Sequence, residues 1–509
     1  MSEESRIQRK LLNLKKANKI SPELYSVLRP TGSQPARLYG LAKVQKPDVP
    51  LRPIVSMPGS AYDAISVKLA SWLKVLPEAC IGCNIKKVND TVRETILSPD
   101  ETLISLDVES LFTNVPAMET IQRAADLLYD GTREEPPIDK ETFVDLLKMV
   151  SCDILISTPD GIYRQIDGVA MGSAVGPLLA YIFMSAYDSQ IGWFSKFYFR
   201  YVDDIFMTMI RGGNDYLLNF VNTFHENLKF TIDVDNGDGI SFLDSKFRSE
   251  NDRVLSSWFV KKTDTGVIMN FNAVAPRLFK SGLVSGFVHR IFNTTSTWFA
   301  FDKGMMKAME ILRNNQYPKS FVQTIINSTL SSILSPDKNI AADGVCAGEK
   351  DKTLKSVKKA YVASFSMDYR GVVSDRFAKN IRKAVQSCNI YFTTRKLRTC
   401  LTSLKSPVPE TLKSHVVYNI CCPACNGIYI GQTTRHLFQR VKEHARRGSP
   451  VSEHFKKCGK EVSMEDVEII ATETHERTLL ALEAVYIRRR NPSLNTKDEF
   501  RSRTLHYRF

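Results

Sequence analysis

Two adjacent aspartates between two apolar runs constrain this chain more than any other feature of its sequence. Asp203 and Asp204 lie in FRYVDDIFM (199–207), where one strand-like run enters the pair and a second leaves it. The pattern predicts a β-hairpin with both carboxylates at its tip, where apolar flanks penalise unpaired charge. Adjacent aspartates are also common in ordinary turns, so the pair alone leaves both interpretations open.

A third carboxylate follows another apolar strand upstream. TLISLDVESLF (102–112) delivers Asp107 at the end of its apolar run. Three carboxylates on two adjacent strands repel one another strongly unless cations lie between them. Two Mg²⁺ ions about 3.5–4 Å apart, held by such groups, are the usual device for in-line phosphoryl transfer. Asp107, Asp203 and Asp204 are therefore predicted to bind two Mg²⁺ ions.

The composition favours a polyanionic partner. The net charge of +14 over 509 residues is typical of nucleic-acid binding, although a merely basic surface gives the same number. The sequence has no apolar run of the roughly 18–20 residues that span a bilayer, so no membrane partner is expected. Ten cysteines without dense regular spacing favour reduced thiols in an intracellular compartment.

The periodicity of the chain predicts an α+β fold with several domains. Strand-like and helical segments alternate over about 102–260, as in a sheet with antiparallel hairpins and covering helices. Upstream, prolines keep residues 38–56 extended. Residues 270–335 read as mostly helical and basic, whereas 336–385 have little pattern. A compact final segment begins at about residue 413.

Several segments of the chain resemble a known family of polymerases. Three of them occur in the order of reverse-transcriptase motifs A, B and C: SLDVESLF (105–112), GVAMGSAVGPLLAYIFM (168–184) and YVDD (201–204). Three more are similar to segments of Penelope-like retroelement reverse transcriptases, relatives of the telomerase catalytic subunit: LYGLAKVQKPDVPLRPIVS (38–56), FLDSKF (242–247) and WFVKKTDTG (258–266). The resemblance covers roughly residues 20–335. It implies an RNA-directed DNA polymerase that uses a template RNA, a DNA primer and dNTPs.

The resemblance also implies roles for three residues near the aspartates. The Val108 carbonyl is a further metal ligand, and Phe112 occupies the position of a steric gate that favours dNTPs over rNTPs. Phe112 has an alternative role as plain strand core. Gly172, in the motif B segment, permits close backbone approach to a template–primer or nucleotide, or else packs a helix start against the sheet.

Basic residues are implied to contact the incoming nucleotide and the duplex. Arg52, with Lys43 and Lys46 nearby, resembles the residues that hold the triphosphate, since a guanidinium binds phosphate bidentately. The alternative for the two lysines is ordinary solvated charge. The basic helical residues of the thumb would hold the duplex through its phosphates.

The C-terminal segment resembles GIY-YIG nucleases. In that family the two tyrosines lie on partner strands of a hairpin, so the overlapping GIY in CPACNGIYIGQT (422–433) is a decoy. Tyr429 belongs to the YIG, and Tyr418 in HVVYNI occupies the position of the GIY tyrosine.

Two predicted helices supply the remaining nuclease residues. Arg440 and His444 share one face of the helix at 433–444. Glu483 lies among apolar neighbours in the helix that follows, and Asn495 lies just beyond it. The resemblance implies that Glu483 binds one Mg²⁺, Arg440 steadies the phosphate, a tyrosine helped by His444 deprotonates water, and Asn495 contributes to substrate binding. The alternative for Glu483 is a surface helix acid.

A cysteine pair precedes the YIG. Cys422 and Cys425 have the spacing of half a zinc site, which His454 and Cys458 would complete as a structural Zn²⁺ centre. Reduced, packed thiols are the alternative. Many relatives have a second histidine near the position of Lys460, which leaves the fourth ligand open, and Cys421 is an alternative first ligand.

The domain organisation implied by both resemblances has five parts: a lead-in (1–36), fingers and palm of a right-hand polymerase (37–260), a thumb (261–335), a linker (336–412) and a small α/β GIY-YIG endonuclease domain (413–509). A nick made by the nuclease would supply the 3′-OH that the polymerase extends, which is target-primed reverse transcription and requires a nuclear location. The alternative is a catalytically inactive, domesticated nucleic-acid-binding remnant.

Overall fold

The computed structural model of the protein describes residues 3–44, 48–77, 84–335, 363–385, 388–394, 408–446 and 448–495. Within these ranges, every helix is too short or too polar to cross a bilayer.

Residues 3–186 form eight of the described helices and five of the strands. The helices are α1 (Glu3–Lys16), α2 (Pro22–Leu28), α3 (Asp63–Leu73), α4 (Ile85–Glu94), α5 (Leu111–Asn114), α6 (Ala117–Leu128), α7 (Lys140–Ser151) and α8 (Gly176–Ser185). The strands are β1 (Ala36–Ala42), β2 (Leu51–Ser56), β3 (Glu101–Val108), β4 (Leu155–Thr158) and β5 (Gly161–Arg164). Side-chain caps start several helices; the Asp139 carboxylate, for example, accepts a hydrogen bond from the N–H of Thr142 at the start of α7.

Residues 187–335 continue with strands and then with long helices. The strands are β6 (Tyr198–Tyr201), β7 (Asp204–Ile210), β8 (Phe230–Val234), β9 (Ile240–Phe242), β10 (Ser245–Glu250) and β11 (Arg253–Trp258). The helices are α9 (Asp188–Gly192), α10 (Asn214–Val221), α11 (Arg277–Thr294), α12 (Trp298–Asn314) and α13 (Lys319–Leu334).

The described part of 363–495 begins with β12 (Ala363–Asp368), α14 (Val372–Ala384) and β13 (Cys388–Thr393). The elements that follow form what we call the C-terminal module (residues 408–495): β14 (Val416–Cys421), β15 (Ile428–Thr433), α15 (Leu437–His444), α16 (Pro450–Lys457), β16 (Val467–Thr472) and α17 (Glu476–Arg490).

Two compact units make up the chain, and each combines segments that are distant in sequence. The first contains Met1–Ile81, Ser110–Ala186 and Leu404–Phe509; the second contains Gly82–Glu109 and Tyr187–Ser403. Both units mix helices with strands, so the predicted mixed α/β multidomain class is confirmed at this level.

The first unit holds a sheet of order β2-β1-β4-β5 and, in the C-terminal module, a sheet of order β15-β14-β16. β14 lies between two antiparallel neighbours, and all but the last of its residues are buried. Tyr418, Leu437 and Phe455 lie in the apolar core between this sheet and the helices. Burial of this aromatic and aliphatic surface is what stabilises so small a module.

The second unit is built on an antiparallel sheet of order β6-β7-β3-β8. The five residues between the ends of β7 are all buried, so both faces of this strand are covered. Phe206 stacks on Phe247 with ring centroids 4.6 Å apart, which packs this sheet against β9–β11. Helices α11–α13 form a separate apolar core. Because both faces of β7 are covered, polar side chains can lie together only at the ends of the strands.

Regular structure occurs within the range that the sequence indicated as a linker. β12 and β13 pair in parallel, and α14 connects them and packs on β13. Alternation over six residues is a weak local signal, and parallel pairing depends on contacts across the connecting helix. These two reasons explain why the sequence did not predict the β12–α14–β13 segment.

Candidate active sites

Three aspartates meet at one end of β3 and β7. In the antiparallel pairing of these strands Asp107 is the cross-strand partner of Asp204. The N–H of Val108 donates a hydrogen bond to the carbonyl of Asp203 over 3.2 Å, which ties the hairpin to β3. Directly opposed residues of such a pair have Cβ atoms about 4.5–5.5 Å apart. The predicted hairpin and its adjacency to Asp107 are confirmed.

The hairpin that carries the aspartates closes through a two-residue turn. Tyr201 pairs with Asp204, which leaves Val202 and Asp203 between the strands. Val202 has a φ of 60°, an uncommon conformation for a β-branched residue. Backbone strain of this kind persists only where surrounding contacts hold it, and it often occurs at functional sites.

Two residues that the sequence reasoning missed support this turn. The Arg200 side chain is only 6% exposed, and its Nε and Nη2 each donate to the Asp188 carboxylate over 2.7 Å. Its Nη1 donates to the carbonyl of Val202 over 3.3 Å. Arg200 therefore connects the start of α9 to the strained residue of the hairpin. The position of Arg200 beside the YVDD segment could have suggested a role, whereas the place of Asp188 depends on the tertiary fold.

Repulsion dominates the electrostatics of Asp204. Its side chain reaches solvent at the strand end, but nearby protein atoms remove part of its hydration. This loss of hydration and the charges of Asp203 and Asp107 together raise the pKa of Asp204 to about 6, against partial compensation by Lys261. Carboxylate oxygens in such a cluster fit a hard divalent cation, which relieves their repulsion.

Val108, the predicted additional metal ligand, lies in the second unit with the aspartates and is buried. The predicted nucleotide-binding residues that the structure describes belong to the first unit. Arg52 is exposed on β2, and Lys43 follows β1, where its N–H donates to the carbonyl of Pro50 over 2.9 Å. Lys46 lies outside the described residues.

A loop before α8 joins Phe112 and β2 within the first unit. The N–H of Val169 donates to the carbonyl of Phe112 over 2.7 Å, and the N–H of Val55 donates to that of Met171 over 2.8 Å. Gly172 has a φ of 117°, and a Cβ there would overlap the carbonyl oxygen of Val55. The close approach of β2 therefore requires glycine at this position.

A second polar cluster lies in the C-terminal module, where β14 and β15 form the hairpin. The Tyr418 hydroxyl lies 2.8 Å from Nε2 of His444, and Nε of Arg440 donates to the same hydroxyl over 3.1 Å. The ring of Tyr429 lies edge-on to His444, with centroids 4.9 Å apart. One turn of α15 separates Arg440 from His444, so both reach Tyr418 from the same side.

Burial sets the protonation states of this cluster. It raises the pKa of Tyr418 well above the ordinary value; the Arg440 charge opposes the shift and the Glu483 charge adds to it. Burial and the Arg440 charge lower the pKa of His444 to about 4. His444 is therefore neutral at pH 7, and Nε2 can accept a proton from the Tyr418 hydroxyl.

Glu483 is buried on α17, close enough for its charge to act on Tyr418. Arg440 has a second partner, because its Nη1 donates to Glu443 over 3.1 Å. Glu443 in turn accepts two hydrogen bonds from Arg435, at 2.7 and 2.8 Å. Sequence reasoning missed Arg435 and Glu443, although the three-residue spacing from Arg440 to Glu443 is a recognisable helix pairing.

A cavity of about 210 Å³ opens at this cluster, lined in part by Tyr429, Arg440 and His444. Asn495, predicted to contribute to substrate binding, makes hydrogen bonds to β15. Its amide donates to the carbonyl of Ile430 over 2.8 Å, and its Oδ1 accepts from the N–H of Ile430 over 2.9 Å. These bonds attach the chain beyond α17 to β15.

Four metal-ligating side chains converge at the turn of the β14–β15 hairpin and at α16. The Sγ atoms of Cys422, Cys425 and Cys458 and a ring nitrogen of His454 all lie within 4.8 Å of one another. Burial alone raises the pKa of Cys422, but hydrogen bonds from the N–H groups of residues 424 and 425 bring it to about 7. Burial and the neighbouring thiols raise the pKa of Cys458 to about 11. Within the described residues, Cys421 is not part of this group.

Nucleic-acid polymerases recur among the solved structures that the chain is similar to. Telomerase from Candida albicans, in complex with a TWJ fragment of telomeric RNA, matches with a TM-score of 0.39 and 13% identity over 62% of this chain and 58% of that one. The BmCPV RNA-dependent RNA polymerase at its elongation state gives 0.36 and 12%, over 63% and 28%. The Sicinivirus 3Dpol RNA-dependent RNA polymerase gives 0.33 and 12%, over 61% and 71%.

Sequence comparisons add one short match. A family described as an animal helix-turn-helix domain matches residues 267–327, which include α11 and α12. No curated protein matches the sequence. The chain spans 58% of the length of the Candida albicans telomerase chain.

Proposed function

We propose that this protein is the RNA-directed DNA polymerase of a Penelope-like retroelement, which extends a DNA 3′-OH by two-metal nucleotidyl transfer. The observation that carries the proposal is the cross-strand pair Asp107–Asp204 beside Asp203, with the pKa of Asp204 raised to about 6. A carboxylate cluster whose repulsion is only partly offset is suited to binding cations.

The three aspartates would hold two Mg²⁺ ions, with the Val108 carbonyl as a further ligand. When bound, such ions activate the attacking 3′-hydroxyl and stabilise the leaving pyrophosphate. The chain itself places the three aspartates. The register of β3 and β7 sets Asp107 against Asp204, and Arg200 holds the turn through the Val202 carbonyl.

Nucleotide and template binding are proposed for three further groups of residues. Arg52, Lys43 and Lys46 would contact the triphosphate of the dNTP, and Phe112 would exclude a ribose 2′-OH. In the fingers, palm and thumb arrangement, the basic helices α11–α13 would bind the duplex of template RNA and DNA primer through its phosphates.

For the C-terminal module we propose GIY-YIG endonuclease activity on target DNA. The Tyr418 hydroxyl would take a proton from the attacking water and pass its own proton to Nε2 of His444, 2.8 Å away. The water oxygen then bonds to phosphorus as the 3′-oxygen leaves. Arg440, which already donates to the Tyr418 hydroxyl, stabilises the charge that develops. Glu483 would hold one Mg²⁺, which supplies Lewis-acid activation of the phosphate.

A structural Zn²⁺ is proposed for Cys422, Cys425, His454 and Cys458. Three thiols and an imidazole form a common structural zinc donor set, and the ligand atoms already lie within 4.8 Å of one another. A Cys422 pKa of about 7 favours the thiolate that zinc requires. The ion would tie α16 to the hairpin of Tyr418 and Tyr429.

Together these activities would support target-primed reverse transcription. The nuclease nicks the target DNA, and the polymerase extends the 3′ end on template RNA. Because the target is genomic DNA, the proposal places the protein in the nucleus.

A separation of the two activities tests this proposal. The full chain is incubated with Mg²⁺, dNTPs and an RNA-templated DNA primer, and separately with intact duplex DNA. Asp203→Ala should abolish extension and leave nicking, while Glu483→Ala should abolish nicking and leave extension. Loss of both activities in either variant would contradict the assignment of one activity to each site, and no extension by the unaltered chain would contradict the polymerase itself.

A further inference from the structure

The loop between α2 and β1 contacts the C-terminal module. The carbonyl of Gly32 accepts a hydrogen bond from Oγ of Ser414 over 2.5 Å. The carbonyl of Ser33 lies 2.6 Å from Nε2 of His436, which must be the donor because a carbonyl only accepts. His436 is 5% exposed, so this hydrogen bond is shielded from water. Two successive carbonyls of the loop are thus bound by residues 382 and 403 positions away.

Gly32 makes this contact possible. It has a φ of +63°, and a Cβ there would lie 2.5 Å from the Ser414 side chain and overlap the carbonyl oxygen of Thr434. Only glycine lets the loop take this conformation and approach the module so closely.

Helix α1 holds the opposite side of the same loop. The N–H and the hydroxyl of Ser33 both donate to one oxygen of Glu4, over 2.6 and 2.7 Å, and Glu4 is buried. Nε2 of Gln8 donates to the carbonyl of Pro30 over 2.7 Å. The loop therefore lies between α1 and the C-terminal module, with hydrogen bonds to each.

Helix α1 is itself attached to the rest of the first unit. Arg6 pairs with Asp153, two residues before β4 begins. The Tyr62 hydroxyl lies 2.9 Å from Glu3 and 3.0 Å from the carbonyl of Asp153. A continuous set of polar contacts thus runs from β4 through α1 and the loop to the C-terminal module.

We infer that residues 29–36 are the docking site that fixes the C-terminal module on the N-terminal part of the first unit, and that this docking couples nicking to extension. The coupling rests on the proposed function; the docking does not. A module held only by a flexible tether samples many positions. A docked module instead keeps its product, the nicked DNA, at a high effective concentration beside the rest of the first unit. The N-terminal segment then serves as an attachment surface for the nuclease.

Gly32→Val in the full chain tests both statements, with Gly131→Val as the matched control. Gly131 has a φ of +75°, and among the described residues no atom lies within 4 Å of the place that a Cβ would take, so it shares the backbone strain without the contact. Hydrogen–deuterium exchange reports docking at residues 29–36 and 434–438. Three assays report activity: nicking of intact DNA, extension from a pre-made nick, and the coupled product from intact DNA and RNA.

Gly32→Val should raise exchange in both segments and lower the coupled product at least about tenfold, while nicking and pre-nicked extension stay within about twofold of the unaltered chain. Gly131→Val should change none of these. Unchanged exchange in Gly32→Val would overturn the docking, and an unchanged coupled product despite raised exchange would overturn the coupling. If Gly32→Val does not fold, His436→Ala, which removes one donor, is judged by the same criteria. Absence of nicking in the unaltered chain would refute the proposed nuclease and leave the exchange result decisive for docking.

Discussion

Asp107 and Asp204 are cross-strand partners in the antiparallel pairing of β3 and β7. The register of two apolar strands therefore decides whether the carboxylates meet. A slip of one residue would turn the side chain of Asp204 to the other face of the sheet. Because β7 is buried on both faces, such a slip would also expose apolar side chains, so the core enforces the geometry of the acidic cluster.

The raised pKa of Asp204 predicts a pH-dependent stability. Its folded pKa of about 6 exceeds the ordinary value of 3.8, so the charged carboxylate destabilises the fold above pH 6 and the penalty disappears below pH 4. Asp204→Asn should therefore increase the free energy of unfolding at pH 8 without added Mg²⁺ and raise the thermal midpoint. The gain is on the order of 1 kcal/mol, because solvent screens this accessible group. At pH 4 the two proteins should have equal thermal midpoints, and at pH 8 added Mg²⁺ should stabilise the unaltered chain more than Asp204→Asn.

A surface acid on α12 provides the control for that measurement. Asp302→Asn should leave the midpoint difference between pH 8 and pH 4 as it is in the unaltered chain. Equal midpoints for Asp204→Asn and the unaltered chain at pH 8 would contradict the repulsion described here.

Arg200 should act as a positioning residue for the Asp203–Asp204 hairpin. Arg200→Lys keeps the positive charge, but the lysine side chain cannot form two hydrogen bonds to Asp188 and a third to the Val202 carbonyl. We expect extension to fall roughly tenfold and the Mg²⁺ concentration for half-maximal rate to rise, since misplacing metal ligands weakens metal binding. Arg248→Lys, at an exposed arginine on β10, is the control. An unchanged Mg²⁺ requirement in Arg200→Lys would show that the turn needs no such support.

The Tyr418–His444 pair predicts a selective loss of nicking. Tyr418→Phe removes the hydroxyl that exchanges the proton and should lower nicking by about 10²–10⁴-fold while extension continues. Tyr486→Phe, which removes a hydroxyl 3.3 Å from the Ile470 carbonyl on the same module, should leave nicking unchanged. Nicking that survives in Tyr418→Phe would exclude this tyrosine as the proton acceptor.

The pH profile of nicking provides a separate test of His444. Its pKa of about 4 lies below the ordinary 6.5, so the imidazole stays neutral from pH 7 down to about pH 5 and loses its acceptor role only near pH 4. Nicking rates should show no titration near 6.5. A midpoint near 6.5 that disappears in His444→Gln would contradict the buried, neutral histidine.

Zinc content should follow the four-ligand cluster. Elemental analysis of the purified full chain should find one Zn²⁺ per chain, and Cys425→Ser should lose it, because two sulfurs and a nitrogen hold zinc far less tightly than the complete set. Cys421→Ser is the control, since Cys421 lies beside Cys422 but outside the cluster. Zinc retained in Cys425→Ser and lost in Cys421→Ser would assign the ligands differently.

Local patterns made much of the architecture predictable. The alternation of apolar residues before Asp107 and on both sides of Asp203 and Asp204 indicated strands that the structure forms as β3, β6 and β7. Tyr418 and Tyr429 were placed on partner strands by matching a hairpin motif, and they lie on β14 and β15. These features depend on contacts within short segments, where residue periodicity carries the information.

Features that depend on distant contacts were not predictable. Asp188 supports the β6–β7 hairpin from the start of helix α9, and the 29–36 loop binds His436 across 403 residues. No periodicity in one segment specifies its partner in another. The hydrogen bonds between Asn495 and the backbone of Ile430 were not predictable for the same reason, because 65 residues separate the two positions.

Counting bound Mn²⁺ tests the central claim most directly. The measurement uses electron paramagnetic resonance on the full chain in the Glu483→Ala background, with an RNA–DNA primer–template and a non-hydrolysable dNTP. We predict two Mn²⁺ ions per chain, and neither when Asp107, Asp203 and Asp204 are all changed to Asn. The same ion count in both proteins would contradict the assignment of these aspartates as the metal site.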